Sequence, residues 1–559
     1  MTTRSRPSGR DSHPAGWNPL TLALLAGLWM AALPNWPLWR ALAALPEMAT
    51  PRGLAFGIGF AVMIAALTTA LLALAAWRWS IKPAITLFVV AAALGAHFMG
   101  SYGVVIDSTM MINVLQTDPR EVRDLLTGRL ALGVLVLAVL PLVGVWRARV
   151  RPLRLVAQLG RNLLGTGAAL LVLLALLYLL FADLSATMRE HTSMRYLINP
   201  LNSFYALGDL AAQSRAKPGG PPQPIGLDAR LAPRAPGSRP PLLLLVVGET
   251  ARADHFSLNG YARPTNPQLA QLGVASFGDV SSCGTNTAAS LPCMFSHLGK
   301  AGFEARDHDH ENLLDLVQRS GMAVLWLDNQ SGCKGLCARV PNADANTPAP
   351  GAAPLPATLC ADGECLDETL LLGLDERLAA LPAERRARGV LLVMHQMGSH
   401  GPAYFKRSPP ELKPFQPECR TNALQQCDRQ ALVNAYDNSI AYTDQVLAQS
   451  VQWLRRRALE YDPALLYLSD HGESLGENNL YLHGLPYAVA PREQKHVPMV
   501  WWQPAPEATP TRPGSTCLAG RRALPLTHDH LFHTVLGVLG VQAAEYRPAL
   551  DAFAPCRGP

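Results

Sequence analysis

Five long apolar runs occupy the first third of the chain, at Leu20 to Leu38, Leu54 to Trp77, Ala84 to Val105, Leu130 to Trp146 and Leu163 to Ala182. Each approaches the roughly 20 residues that an α-helix needs to cross hydrocarbon, so the pattern predicts five membrane spans. Pro34 and Pro37 interrupt the first run, and the fourth is short. A cleavable leader has one apolar stretch of about 7–15 residues, which five successive runs do not resemble, so these segments are expected to stay. Beyond them the period changes. Short apolar runs at Leu242 to Val247, Met322 to Leu327, Gly389 to Met394, Ala464 to Ser469 and Val497 to Trp502 alternate with longer helical patterns. Buried strands with helices between them predict a parallel sheet covered on both faces. The expected organisation is an α-helical membrane domain over residues 1–183, a bridge over 184–240, and an α/β domain over 241–559. Within the bridge, Tyr196, Leu197, Phe204, Tyr205 and Leu207 mark short amphipathic segments near the bilayer surface. The Pro/Gly-rich stretch Lys217 to Pro241 reads as an extended, semi-rigid linker with too little apolar content to pack.

Composition supports a membrane protein and excludes a small binding module or a disordered chain. Of 559 residues 49% are hydrophobic and only 16% charged, against about 25% charged in soluble domains. Charge is divided along the chain: the first 183 residues hold 15 of the 48 basic side chains but only 7 of the 42 acidic ones. Arg4, Arg6 and Arg10 precede the first run, Arg78 and Lys82 separate the second from the third, and Arg147, Arg149, Arg151, Arg154 and Arg161 separate the fourth from the fifth. Basic residues near spans stay in the cytoplasm, which places the N-terminus inside and, after five spans, everything beyond Asp183 outside. This topology accounts for the basic excess, so no nucleic-acid partner is expected. All ten cysteines lie between Cys283 and Cys556, in the part assigned to the oxidising side.

Ligands of parallel sheets bind beyond the carboxyl ends of the strands, which directs attention to the residues there. Glu249 follows the first strand, in GETARADH, and Asp470 and His471 follow the fourth, in DHGES. Carboxylate and imidazole at two strand ends of one sheet favour a metal such as zinc. The segment SSCGTNTAASLPCMFS presents Thr285, Thr287 and Ser290; a hydroxyl at a helix N-terminus beside a divalent metal can become a nucleophile, or can simply cap the helix. His395 and His400 follow the third strand and His483 follows DHGES, suiting a second metal or a proton-transfer group. His308, His310, His528, His530 and His533 fall in or beside helices and read as structural. In the outward loop between the third and fourth spans, Asn113, Thr117 and Glu121 are spaced to share one face of a helix, as a polar interfacial loop or as a site reaching toward a lipid headgroup.

Taken together, GETARADH, CGTNTAASLPCMFS, HQMGSHGPAYFKR, SDHGESLGEN and YLHG resemble the phosphoethanolamine transferases of Gram-negative bacteria, the lipid A-modifying group that includes the mobile colistin resistance enzymes. The resemblance covers nearly the whole chain. It implies five spans in the bacterial inner membrane and a periplasmic catalytic domain of the sulfatase/alkaline phosphatase-like type. It also implies transfer of phosphoethanolamine from phosphatidylethanolamine to lipid A, or to the lipopolysaccharide core, by a monomeric enzyme. The nucleophile would be Thr287, on zinc with Glu249, Asp470 and His471, forming a phosphothreonine intermediate in a double displacement. His395, His400 and His483 would border the substrate, with His400 or His483 carrying a proton. Ser331 and Lys334, in DNQSGCKG, together with Asn113, Thr117 and Glu121, would hold the headgroup. Added ethanolamine would lower negative surface charge and weaken binding of cationic peptides such as polymyxin. In the family manner Cys283 would pair with Cys293, Cys333 with Cys337, Cys360 with Cys365 and Cys419 with Cys427, leaving Cys517 for Cys556, although sequence alone fixes no connectivity. A sulfatase-like phosphoglycerol transferase or phosphodiesterase, and a non-enzymatic metal-binding membrane protein, are the competing readings.

Overall fold

The computed structural model describes residues 16–117, 119–216, 220–361, 363–504 and 507–558, without the side chains of residues 120, 121 and 213–216. It divides into two compact units, one of Met1–Gly100 with Gly128–Ala206 and one of Ser101–Thr127 with Leu207–Pro559. The expected boundary at residue 183 is therefore displaced in two places. The loop between the third and fourth spans groups with the α/β unit, and residues 184–206 group with the helical one.

Among the described residues five helices are long and apolar enough to cross a membrane: Pro19–Ala43, Pro51–Leu74, Ile81–Tyr102, Gly128–Arg147 and Leu155–Leu179. Prolines shape two of them without ending either. Pro34 and Pro37 convert the middle of the first into a 3-10 turn at Leu33–Asn35. Carbonyls freed by such a turn need donors in an apolar setting. Asn35 supplies one to Met30 at 2.7 Å, and Asn199 supplies another to Pro34 at 3.0 Å. In the fourth helix Pro141 has no N–H for the Leu137 carbonyl. The backbone widens to a π-turn over Leu135–Val139, and the Trp29 indole donates to Leu137 at 3.2 Å instead.

The second unit is built on an eight-stranded sheet: β1 Pro241–Gly248, β2 Ala275–Ser281, β3 Ala323–Asp328, β4 Asn342–Asp344, β5 Val390–His395, β6 Asp462–Ser469, β7 His496–Trp502 and β8 Leu526–Thr527. Their spatial order is β8-β2-β7-β6-β1-β5-β3-β4. The sheet is mixed and not wholly parallel as the sequence suggested, because β7 runs antiparallel to both β2 and β6. An apolar run buried on both faces carries no mark of its direction, so VPMVWW could not reveal this. Along β1, Leu242, Leu244 and Val246 enter one core and Leu243, Leu245 and Val247 the other, the alternation a pleated strand imposes. Helix Arg429–Arg457 covers the first face, and Leu313–Arg319 and Asp529–Leu539 cover the second.

The Pro-rich stretch before β1 is not a free linker over its described residues. Ile225 is buried in the second core, and Arg230–Leu231 pairs antiparallel with Val541–Gln542. A few well-placed apolar side chains and one rung of backbone bonds suffice, which composition averages conceal. All ten cysteines form disulfides, Cys283 with Cys293, Cys333 with Cys337, Cys360 with Cys365, Cys419 with Cys427 and Cys517 with Cys556.

Candidate active site

The carboxyl ends of β1, β6 and β5 lie side by side, with Val247 opposite His395 and Gly248 opposite Ser469. Glu249, Asp470, His471 and His395 thus emerge on one edge, all fully buried. Thr287 is the first residue of helix Thr287–Met294, where peptide dipoles favour an anion. Asn286 caps that helix by accepting from the Ala289 N–H at 2.9 Å. Gly284 permits the tight approach, since a Cβ there would lie 2.8 Å from the Ser290 nitrogen.

Thr287 Oγ1 donates to Glu249 Oε2 at 2.9 Å and lies 3.4 Å from His471 Nε2. His471 Nε2 in turn is 3.2 Å from Glu249 Oε1 and 3.4 Å from Asp470 Oδ2. The other imidazole nitrogen, Nδ1, lies 2.9 Å from the Gly472 carbonyl, which only an N–H can satisfy. In the neutral ring Nε2 therefore presents its lone pair to two carboxylates. Glu249 Oε1 and Asp470 Oδ2 are buried and accept no hydrogen bond among the described residues. Such a concentration of electron pairs calls for a cation. Burial lowers the basicity of His471, yet Asp470 and Glu249 outweigh it and push its pKa up to about 10. Burial and then the Glu249 charge push Asp470 up to about 6, whereas Glu249 is held low, against burial, chiefly by His471. Ligand atoms of Glu249, Asp470 and His471 lie within 4.8 Å of one another, and the oxygen and nitrogen donors fit a divalent metal.

A second group shares Glu249. Ligand atoms of Glu249, His400 and His483 also gather within 4.8 Å. The His483 ring lies tilted 4.3 Å from that of His471 and edge-on 5.5 Å from that of His400, centroid to centroid. Its Nδ1 lies 3.2 Å from Glu473 Oε1, a carboxyl that burial pushes up to about 8. The hydroxyls of CGTNT and of the helix that follows separate clearly: Thr285 donates to the Leu485 carbonyl at 2.6 Å, Ser290 donates to the Asp470 carbonyl, and Thr287 faces the Glu249 carboxylate and His471.

Asn113 and Thr117 reach this unit by an unexpected arrangement. The single helical face expected for Asn113, Thr117 and Glu121 is not formed, because helix Ser108–Gln116 stops at Thr117, whose ψ of 130° is extended. Pro119 opens the next helix, Pro119–Leu125; it has no N–H and its ring opposes continuation of the preceding turn. Thr117 Oγ1 instead folds back to the Asn113 carbonyl at 2.7 Å, and the side chain of Glu121 lies outside the described residues. Helix Ser108–Gln116 packs on helix Thr287–Met294. Met110 fits against Gly484, the neighbour of His483, where a Cβ would come within 2.2 Å of the methionine methyl. Lys334 donates to Ser331 Oγ at 2.9 Å and reaches the Gln116 carbonyl at 3.5 Å, so Ser331, Lys334 and the end of this helix are neighbours.

Two residues of the site, Asp328 and Asp367, are not among those the sequence points to. Asp328 ends β3 and lies 3.0 Å from His395 Nδ1; it sits directly after a run already recognised as a strand, a signal that could have found it. Asp367 accepts from the Met397 and Gly398 N–H groups at 2.8 and 2.9 Å and so fixes the loop leading to His400. Nothing in the local sequence marks Asp367. His528 accepts from the Cys283 N–H at 3.1 Å and lies 2.9 Å from the Ser469 carbonyl, beside helix Thr287–Met294, in the structural role expected of it.

Residues 241–541 match the Sulfatase family, and residues 64–215 match the family Phosphoethanolamine transferase EptA/EptB. The chain is 37% identical over 538 residues to phosphatidylethanolamine transferase Mcr-2 of Escherichia coli, covering 95% of this chain and 96% of that relative. It is 38% identical over 505 residues to phosphoethanolamine transferase EptA of Salmonella typhimurium, covering 89% and 90%. The solved integral membrane protein lipooligosaccharide phosphoethanolamine transferase A (EptA) from Neisseria meningitidis superposes with a TM-score of 0.88 at 33% identity, over 96% of this chain and 99% of that one.

Proposed function

The chain belongs to the phosphoethanolamine transferase family, and from that premise we propose that it moves phosphoethanolamine from phosphatidylethanolamine to lipid A, or to the lipopolysaccharide core, through a covalent adduct on Thr287. It is a multi-pass enzyme of the bacterial inner membrane with its catalytic domain in the periplasm. One observation carries the assignment of the nucleophile. Of the hydroxyls near the strand ends, only Thr287 meets both a carboxylate, at 2.9 Å, and the lone-pair nitrogen of an imidazole, at 3.4 Å.

Glu249, Asp470, His471 and the Thr287 hydroxyl would hold zinc, which when bound favours the alkoxide and neutralises charge on the phosphoryl oxygens. The hydroxyl proton has an acceptor in Glu249 Oε2. As the Thr287 oxygen bonds to phosphorus, the phosphorus–oxygen bond to diacylglycerol breaks, and His400 or His483 protonates the departing oxygen. His483 is held for this by Glu473. In the second half a phosphate oxygen of lipid A bonds to the same phosphorus and gives its proton to that histidine. The bond to Thr287 breaks, and Thr287 recovers its proton from Glu249. Ser331 and Lys334, with Asn113 and Thr117, would hold the ethanolamine phosphate; that Lys334 donates to Ser331 Oγ and reaches the Gln116 carbonyl supports grouping them. The chain would act as a monomer, since every group in this scheme comes from one copy.

The test is the reconstituted full chain with labelled phosphatidylethanolamine. Thr287→Ala should release no diacylglycerol and form no adduct by intact mass spectrometry, whereas Thr285→Ala should still form it. Lipid A from expressing cells should gain the mass of phosphoethanolamine; a phosphoglycerol increment, or a fully active Thr287→Ala enzyme, would sink the proposal.

A further inference from the structure

One carboxylate near the site receives four hydrogen bonds and divides them between two structures. Asp328 Oδ2 accepts from Trp326 Nε1 at 2.9 Å and is 3.0 Å from His395 Nδ1. Asp328 Oδ1 accepts from the backbone N–H groups of Gln330 and Gly332, at 3.0 Å each. The first oxygen fixes a ring at the edge of the metal ligands. The second fixes the turn that carries Ser331 and Lys334, where Lys334 holds a left-handed φ of 48°. Asp328 and His395 stand on the same rung of neighbouring strands although 67 residues apart in sequence.

The consequence for His395 is directional. With Nδ1–H committed to Asp328, Nε2 carries the lone pair, and it is buried without a hydrogen-bond partner among the described residues. His395 closes β5 opposite Val247 of β1, two residues before Glu249, so the ring stands at the strand ends that carry the metal ligands. A carboxylate is required at position 328 because both of its oxygens face only donors. An amide of the same shape would set its NH2 against N–H groups in either orientation, so it could satisfy the ring or the turn but not both.

We propose that Asp328 is a positioning residue that couples the Ser331–Lys334 turn to His395, so that the grip on the ethanolamine phosphate and the aim of His395 at the reacting phosphoryl group are set by one side chain. This deepens the reading of the site as one for phosphoethanolamine transfer and rests on it. Asp328 touches neither substrate nor metal and acts through its two dependents.

Double-mutant cycles in the full chain test the coupling, with Thr287 adduct formation from phosphatidylethanolamine in mixed micelles as the measured step. Asp328→Asn should lower kcat/KM about 10²-fold, as displacements of about 1 Å do, with KM rising and kcat falling together. Combined with His395→Ala, and separately with Lys334→Ala, it should cost much less than the product of the single losses, since each partner is already misplaced. A general loss of folding would multiply through both cycles. Losses that multiply in either cycle, while the wild-type chain forms its adduct normally, overturn the coupling alone. A wild-type chain that forms no Thr287 adduct from phosphatidylethanolamine overturns the transfer reading and this inference with it.

Discussion

Replacing His528 by phenylalanine should cost the catalytic unit more stability than any exposed substitution, for reasons that can be counted. His528 Nδ1 accepts from the Cys283 N–H at 3.1 Å, so Nε2 carries the hydrogen and donates to the Ser469 carbonyl at 2.9 Å. Phenylalanine keeps the ring and nearly the volume but leaves both backbone groups buried and unpaired. Each such orphan costs about 1–3 kcal/mol, giving about 2–6 kcal/mol in all. A typical domain has only about 5–15 kcal/mol of stability, so the loss is large. Urea denaturation of the full chain in micelles, followed by tryptophan emission, would measure it. A loss below about 1 kcal/mol, less than one orphan, would refute the bookkeeping. The pH dependence supplies a second check. Burial pushes His528 down to about 3 from its ordinary 6.5. Below 6.5 the unfolded chain takes a proton that the fold refuses, so this contribution is complete above pH 6.5 and is lost as pH falls toward 3, at about 1.4 kcal/mol per unit. Phenylalanine does not titrate, so the gap between the two proteins should narrow by about 2 kcal/mol from pH 6.5 to pH 5. A gap independent of pH would contradict a neutral histidine there.

Other expectations follow from the same geometry. Asp124 meets Lys406 and Arg407 and its carbonyl accepts from Asn422 at 2.6 Å, so it ties the segment bearing helix Ser108–Gln116 to the catalytic unit. Asp124→Ala should raise the KM for phosphatidylethanolamine roughly tenfold, equivalent to about 1.4 kcal/mol, with a smaller change in kcat; initial rates in mixed micelles would show it, and an unchanged KM would dismiss the tie. Dialysis against a strong chelator should abolish turnover, and zinc should restore it where magnesium does not, because one ligand is an imidazole nitrogen. With Asp470 pushed up to about 6 by burial and Glu249, protons should compete with the metal below that pH, and bound zinc counted by elemental analysis should fall there. Retention of zinc at pH 5 would count against Asp470 as a ligand.

Much of the architecture was readable because membrane and water impose different periods. Five spans followed from run length, and the strand ends located Glu249, Asp470 and His471 before any distance was known. Local sequence failed where a property belongs to two distant segments at once. The direction of β7 is set by its neighbours β2 and β6, not by VPMVWW. The packing of Ile225 needs a core assembled from strands far along the chain. Asp367 acts by receiving the backbone N–H groups of Met397 and Gly398, which adjoin it only after folding. The face imagined for Asn113, Thr117 and Glu121 failed for a local reason that was visible: Pro119 stands between the second and third of them.

Helix Ser108–Gln116 is encoded between two membrane spans, yet it belongs to the unit of the eight-stranded sheet and packs there on helix Thr287–Met294. The working enzyme is therefore written in two stretches of gene, not one. A recombination joint after residue 206 would carry Thr287, Glu249, Asp470 and His471 into a relative but leave Met110, Asn113 and Asp124 behind. Exchange between lineages should succeed only when both stretches are inherited together. Changes in the short insert should also be matched at Lys406, 282 positions from Asp124, and beside Gly484, where Met110 packs on a glycine of left-handed φ 90°.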